Sequence, residues 1–275
     1  MSRIQIVTDS TAYFSREEAQ RLRIRVVPLS VTFSGVTKDE GFPGEFQDFY
    51  RQLETSDDFP TTSQPSISAF SEVFKEAIAE GKEIITIVIS KELSGTYNSA
   101  SAAAAEIAPD KITVIDSETT VANLKSLVKQ AHEMAEKGKS RKEIVEAIEK
   151  QKKRMHVNLT VSTLEYLRRG GRLTMAQAAI GNILNVKPII GLINGRLQPI
   201  TKVRGSSKAY QYLVDKVPDD SVEISILHVL NSEVAEQLQM KLKEKFPHIP
   251  VTIEEIGPVI GSHLGPGAIG VCSKQ

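Results

Sequence analysis

Ile84-Ile85-Thr86-Ile87-Val88-Ile89 runs into Ser90-Lys91-Glu92-Leu93-Ser94-Gly95-Thr96, and the chain continues through Asn98-Ser99-Ala100-Ser101-Ala102-Ala103-Ala104-Ala105-Glu106-Ile107. A continuous apolar, β-branched run with no alternation reads as a strand buried on both faces. The alanine-rich stretch after it is good helix. Strand, short polar turn, helix is the repeating unit of an α/β fold with parallel strands. In such folds the turn at the carboxyl end of a strand and the amino end of a helix is where ligands, anions above all, are bound.

The same alternation extends outward. Ile4 to Val7, Ile24 to Val27 and Ile112 to Ile115 are further short β-branched runs, and together with residues 84–89 they predict a mostly parallel sheet covered by helices. Ser15-Arg16-Glu17-Glu18 and Ser140-Arg141-Lys142-Glu143 have the spacing of capping boxes and mark two helix starts. Between them Leu124, Leu127, Val128, Ala131, Met134 and Ala135 recur at helical spacing, an apolar stripe that reads as core, and Gly138 ends that helix.

After Lys150 the basic run Lys150-Gln151-Lys152-Lys153-Arg154 reads as a solvated helix end, and the pattern changes. Val157 to Ser162 is a strand, and Asn194-Gly195 between Pro188 to Ile193 and Arg196 to Ile200 is a tight hairpin turn that requires antiparallel pairing. Ser221 to Val229, Pro250 to Ile256 and Ala268 to Cys272 are further strands, with a helix from about residue 232 to 245. The expectation is two α/β domains, residues 1–150 with a mostly parallel sheet and residues 151–275 with a mixed one.

Composition narrows the function classes. With 34 Lys+Arg against 34 Asp+Glu the net charge is zero, so no global field favours nucleic acid. The single cysteine, Cys272, excludes an internal disulfide and a Cys-rich metal site and fits a reducing compartment, the cytoplasm. The first residues turn polar at once, and no stretch approaches the roughly 20 apolar residues of a membrane span. The histidines are dispersed and neither H-E-x-x-H nor a P-loop occurs, so no metal and no cofactor is expected.

Four segments hold more Gly, Ser, Thr and His at element ends than a scaffold requires. They are Thr8-Asp9-Ser10, Thr62-Ser63-Gln64-Pro65-Ser66, Leu93-Ser94-Gly95-Thr96-Tyr97, and Gly257 to Gly267, where six prolines and glycines surround His263. Ser94 and Thr96 suit helix capping as well as a ligand, and Thr62-Ser63-Gln64-Pro65 suits a cap followed by proline in the first turn. Position alone leaves both open. A hydrolase built on Ser94, His263 and Asp9 or Asp116, acting on a lipid ester, is the enzymatic alternative, although Ser94 lacks the G-x-S-x-G elbow.

T-D-S at Thr8 to Ser10, T-S-Q-P-S at Thr62 to Ser66, L-S-G-T-Y-N-S-A at Leu93 to Ala100, L-R-R-G-G-R at Leu167 to Arg172 and the closing G-P-V-I-G-S-H-L-G-P-G-A-I-G resemble, in order and spacing, the DegV family of bacterial fatty-acid-binding proteins. The resemblance implies two α/β domains with a lipid pocket between them. It also implies a non-catalytic carrier of a long-chain fatty acid, serving as the lipid-bearing subunit of a fatty acid kinase that makes acyl phosphate for phospholipid synthesis. The fatty acid would be the ligand and the catalytic kinase subunit the partner, with transient contact at a membrane surface left open and no role for nucleic acid. By the same resemblance Thr62, Ser94 and His263 hold the carboxylate, with Ser63, Gly95, Thr96, Gly261 and Ser262 around it. Hydroxyls and an imidazole N–H can donate to a carboxylate without a buried salt bridge. Arg169, Arg172, Lys202 and Arg204 are candidates for a basic surface that docks the kinase. One departure stands out: the family often carries G-x-G after the D-S of its fourth strand, whereas here Asp116-Ser117 runs into Glu118-Thr119-Thr120-Val121-Ala122-Asn123.

Overall fold

The computed structural model describes residues 3–173 and 185–275. The chain forms two compact units: one takes the residues up to Phe46 together with Thr62–Lys153, the other Gln47–Thr61 together with Arg154–Gln275. The break after Lys153 falls close to the change of pattern after Lys150, but the excursion of residues 47–61 into the second unit has no counterpart in the sequence reading.

In the first unit, strands β1 (Ile4–Asp9), β2 (Arg25–Val27), β6 (Glu83–Val88) and β7 (Ile112–Asp116) form one sheet in the order β2-β1-β6-β7. Every pairing in it is parallel. The four β-branched runs of the sequence are these four strands. Helices α3 (Ile67–Ala79) and α4 (Thr96–Ile107) supply Phe70, Phe74, Ala100 and Ala103, which pack with Val7, Val27, Ile84 and Val88. Phe70 and Phe74 are wholly buried, and burying such a side chain contributes roughly 1.5–3 kcal/mol. Helix α5 (Val121–Glu136) packs on β1 and β6, with Leu124, Leu127, Val128, Ala131 and Ala135 of the expected stripe buried and Met134 half-buried at its margin.

Ser140 forms the full capping box with Glu143 at the start of α6 (Arg141–Lys152). At α1 (Arg16–Arg21), Ser15 accepts from the Glu18 amide, but the Glu18 carboxylate turns to Lys125 and Lys129 at 3.1 and 2.7 Å and ties α1 to α5 instead. A small sheet in the order β4-β3-β5 has no counterpart in the expected elements; it consists of β3 (Ser30–Phe33), β4 (Val36–Asp39) and β5 (Thr61–Ser63).

The second unit is built on a six-stranded mixed sheet in the order β10-β9-β8-β13-β11-β12. Its strands are β8 (Met155–Thr160), β9 (Val186–Ile193), β10 (Arg196–Arg204), β11 (Glu223–His228), β12 (Val251–Glu255) and β13 (Ile269–Lys274). Only β11 and β12 pair in parallel. Asn194 and Gly195 both have positive φ, 50° and 77°, as the turn between β9 and β10 demands. Helices at Ser206–Asp215 and Ser232–Lys245 cover the sheet through Leu213, Leu238 and Leu242 against Ile224, Ile226, Ile269 and Val271. The helix Gln47–Thr55 joins this unit through Tyr50, which is buried and donates from its hydroxyl to the carbonyls of Ile256 and Gly257. No helix among the described residues is long and apolar enough to cross a membrane.

Candidate functional site

Because β6 lies between β1 and β7 and all three run parallel, the ends of these strands come together at one edge of the sheet. Asp9 closes β1, Asp116 closes β7, and the loop leaving β6 passes between them. Three successive amides of that loop are held from three directions. Ile89 N donates to Asp9 Oδ2 at 2.6 Å, Ser90 N to the Thr119 carbonyl at 2.9 Å, and Lys91 N to Asp116 Oδ1 at 3.2 Å. The Leu93 and Ser94 amides then return to the Ser90 carbonyl at 3.0 and 3.1 Å, which makes the loop a tight turn and brings Ser94 to the start of α4.

At both hydroxyl motifs the N-cap position of the following helix falls on another residue of the motif. The N-cap of α4 is Gly95, with no side-chain cap hydrogen bond. Ser94 Oγ shares a 2.9 Å hydrogen bond with Thr96 Oγ1, and the Thr96 amide approaches it at 3.4 Å. At the other motif the cap of α3 is Ser66, which accepts from the Ala69 amide at 3.1 Å, while Thr62 and Ser63 lie on β5. Neither Thr62 nor Ser94 occupies the N-cap position, and the amino end of α4 has only a long contact, from the Thr96 amide to Ser94 Oγ, so it favours an anion.

The two motifs also meet. Gln64 Nε2 donates to Ser99 Oγ at 2.9 Å, and the Gln64 amide lies so close over Gly95 that a Cβ there would stand 1.8 Å from its Oε1. Glycine at 95 is what lets the T-S-Q-P segment lie on the S-G-T turn.

Asp9 is wholly buried; besides Ile89 it serves Thr11, whose amide and hydroxyl donate to Oδ1 at 2.9 and 2.6 Å. Burial pushes its carboxyl up to about 6, against the hydrogen bonds that favour its charge. With the oxygens of Asp9 on Thr11 and Ile89, and Asp116 holding Lys91 and Glu118 amides, both acids are engaged by the scaffold.

The turn after β7 is the segment that departs from the family pattern, and it is strained. Glu118 and the β-branched Val121 have φ of 53° and 50°, a region such residues rarely occupy. The turn is fastened by Ser117 Oγ, which donates to the Thr119 carbonyl at 3.0 Å, and by Lys152 Nζ, which reaches the Asp116 carbonyl at 2.8 Å and Glu118 at 3.1 Å.

In the second unit, His263 lies in the short helix Pro258–Leu264, with Gly261 and Ser262 buried before it. The motif L-R-R-G-G-R is its neighbour: a Cβ on Gly170 would stand 2.1 Å from His263 Nδ1, so glycine there seats the imidazole. Arg172 donates from Nη1 to the Gly170 carbonyl at 2.6 Å and is half-buried. Burial, and secondarily the charge of Arg172, push His263 down to about 4, which keeps the ring neutral near pH 7 with one N–H to donate. Arg169 is held by Glu165 at 2.5 Å and lies over the Phe59 ring at 3.9 Å, whereas Lys202 and Arg204 stand exposed on the same face of β10. The density of glycine in the closing segment follows from side chains that sequence distance hides: Gly261 faces the Tyr50 hydroxyl, Gly265 the Tyr166 ring and Gly267 the Ser162 hydroxyl.

The family model described as uncharacterised protein, DegV family, matches residues 3–275. A DegV domain-containing protein of Halalkalibacterium halodurans is 35% identical over 277 residues, 98% of each chain, and Protein DegV of Bacillus subtilis is 33% identical over 275 residues, again 98% of each. Among solved structures, a DegV family protein from Thermus thermophilus described by its fatty acid binding has a TM-score of 0.90 at 31% identity, covering 100% of both chains. DegV from Bacillus subtilis, described as a fatty acid binding protein, has a TM-score of 0.86 at 34% identity, covering 100% of this chain and 99% of that one. The chain belongs to the DegV family.

Proposed function

We propose that this protein binds one long-chain fatty acid, its carboxylate taken by Thr62, Ser94 and His263 and its acyl chain enclosed in an apolar tunnel. The observation that carries the reading is full-length likeness to proteins described as fatty-acid binding. The hydroxyls of Thr62 and of Ser94, the latter at the start of α4, and a neutral histidine are donors suited to a carboxylate. Burying each methylene contributes roughly 0.8 kcal/mol, so a chain of about 16 carbons has a ceiling near 12 kcal/mol before ordering costs. That ceiling is ample for a carrier that retains its cargo.

A carboxylate held by hydroxyls and one imidazole, with no arginine fork, keeps an oxygen that can act as a nucleophile. The finer reading is that a separate kinase transfers the γ-phosphoryl group of ATP to that oxygen, giving acyl phosphate and ADP, with Arg169, Arg172, Lys202 and Arg204 as the candidate docking surface. Arg172 sits beside His263, so Arg204, exposed on β10, is the cleaner probe. Arg204→Ala is expected to leave fatty-acid affinity within about twofold and to slow acyl-phosphate formation by the cognate kinase roughly tenfold at low salt and subsaturating carrier, because removing one partner of such a surface acts mainly on association. Equal kinase rates for the two proteins under those conditions would move the docking surface elsewhere.

A further inference from the structure

We propose that Asp9 is a positioning residue for the headgroup site, holding the Ile89 amide so that the loop after β6 presents Ser94 in one place; the inference rests on Ser94 being a carboxylate ligand.

The path is short and continuous. Asp9 Oδ2 accepts from Ile89 N at 2.6 Å, the next carbonyl, that of Ser90, accepts from Ser94 N at 3.1 Å, and Ser94 Oγ meets Thr96 Oγ1 at 2.9 Å. On the far side of β6, Asp116 Oδ1 holds Lys91 N at 3.2 Å and Glu118 N at 3.0 Å, while its other oxygen has Lys91 Nζ only at 3.7 Å. Of the two flanking carboxylates, Asp9 is wholly buried and its hydrogen bond to the loop is the shorter.

The residue type fits the task. Asp9 serves donors on two sides, Thr11 through Oδ1 and Ile89 through Oδ2. Only a carboxylate accepts on both oxygens; an asparagine would turn an NH2 toward one of the two amides, and an apolar side chain would accept from neither. A buried charge with neutral partners carries a desolvation cost that a purely space-filling residue would avoid. The cost is consistent with a need to fix two backbone segments at once, the turn after β1 and the loop that carries Ser94.

The test is a double-mutant cycle on the full chain, with palmitate affinity measured by displacement of a fluorescent fatty acid in wild type, Asp9→Asn, Ser94→Ala and the double variant. Asp9→Asn is expected to weaken binding about tenfold while the far-ultraviolet circular dichroism is retained. In the Ser94→Ala background the same change should weaken binding by less than about twofold, because residues acting through one contact are not additive. Additive losses would overturn the inference, since Asp9 would then act on binding by another route, as would an unchanged affinity in Asp9→Asn. A Ser94→Ala chain that binds normally would instead remove the headgroup reading on which it rests. Should Asp9→Asn fail to fold, Thr11→Val takes its place. It keeps the Thr11 amide on Oδ1, loosens the carboxylate by removing the 2.6 Å hydroxyl bond, and should weaken binding about threefold with Ser94 present and not at all without it. Equal effects in the two backgrounds would overturn the inference in that form too.

Discussion

Gly265→Ala is expected to destabilise the protein by about 4 kcal/mol, the sum of two separate penalties. Gly265 has φ 74° and ψ 170°, a region open essentially to glycine, and an L side chain there costs on the order of 1–3 kcal/mol. A Cβ would also stand 2.3 Å from Cδ2 and 2.8 Å from Cγ of the Tyr166 ring, which itself packs on Phe59 at 4.9 Å between centroids, and overpacking of that kind adds roughly 1–3 kcal/mol. Gly138→Ala is the control. Its φ is 74° as well, but nothing lies within 4 Å of the new Cβ, so only the backbone penalty of roughly 1–2 kcal/mol applies. Urea denaturation of both variants separates the terms. Equal losses would show that the Tyr166 ring yields freely and that glycine at 265 answers to the backbone alone.

Thr62→Val and Ser94→Ala are each expected to weaken fatty-acid binding by about 1.5–3 kcal/mol, the worth of a hydrogen bond to a charged group, or roughly 10- to 150-fold in Kd. Valine suits the β5 position of Thr62 and keeps its shape. Ser94→Ala removes the partner of the buried Thr96 hydroxyl, a loss of about 1 kcal/mol in stability that leaves the fold intact. Isothermal titration with palmitate, run beside thermal melts, reads both quantities. Variants that melt early yet bind normally would return these residues to a structural role.

Much of the fold could be read from the sequence because its strands are short, β-branched and buried: the runs at Ile4, Ile24, Ile84 and Ile112 are the four parallel strands, and Asn194-Gly195 makes the hairpin it announces. The excursion of residues 47–61 could not be read. Tyr50 and Leu53 show that the helix has an apolar face, but nothing local says which core that face serves, and the partners of Tyr50 lie more than 200 residues away at Ile256 and Gly257. The small sheet escaped notice because its strands have three or four residues and β4 is exposed throughout.

At the candidate site the motifs were visible while their division of labour was not. T-D-S reads as a site from composition, yet its aspartate serves the backbone at Ile89, a pairing across 80 residues. Capping was open for T-S-Q-P-S until the structure gave it to Ser66. Nothing local in L-R-R-G-G-R or in the closing segment names the side chains its glycines accommodate, whereas in the fold Gly170 and Gly261 make room for His263 and Tyr50.

Whether the chain carries a long-chain fatty acid is read by denaturing extraction of the purified protein followed by mass spectrometry of the released small molecules. Recovery of about one fatty acid per chain is expected, either as purified or after incubation with palmitate and removal of excess. Extracts that hold no fatty acid above a control protein under both conditions would contradict it.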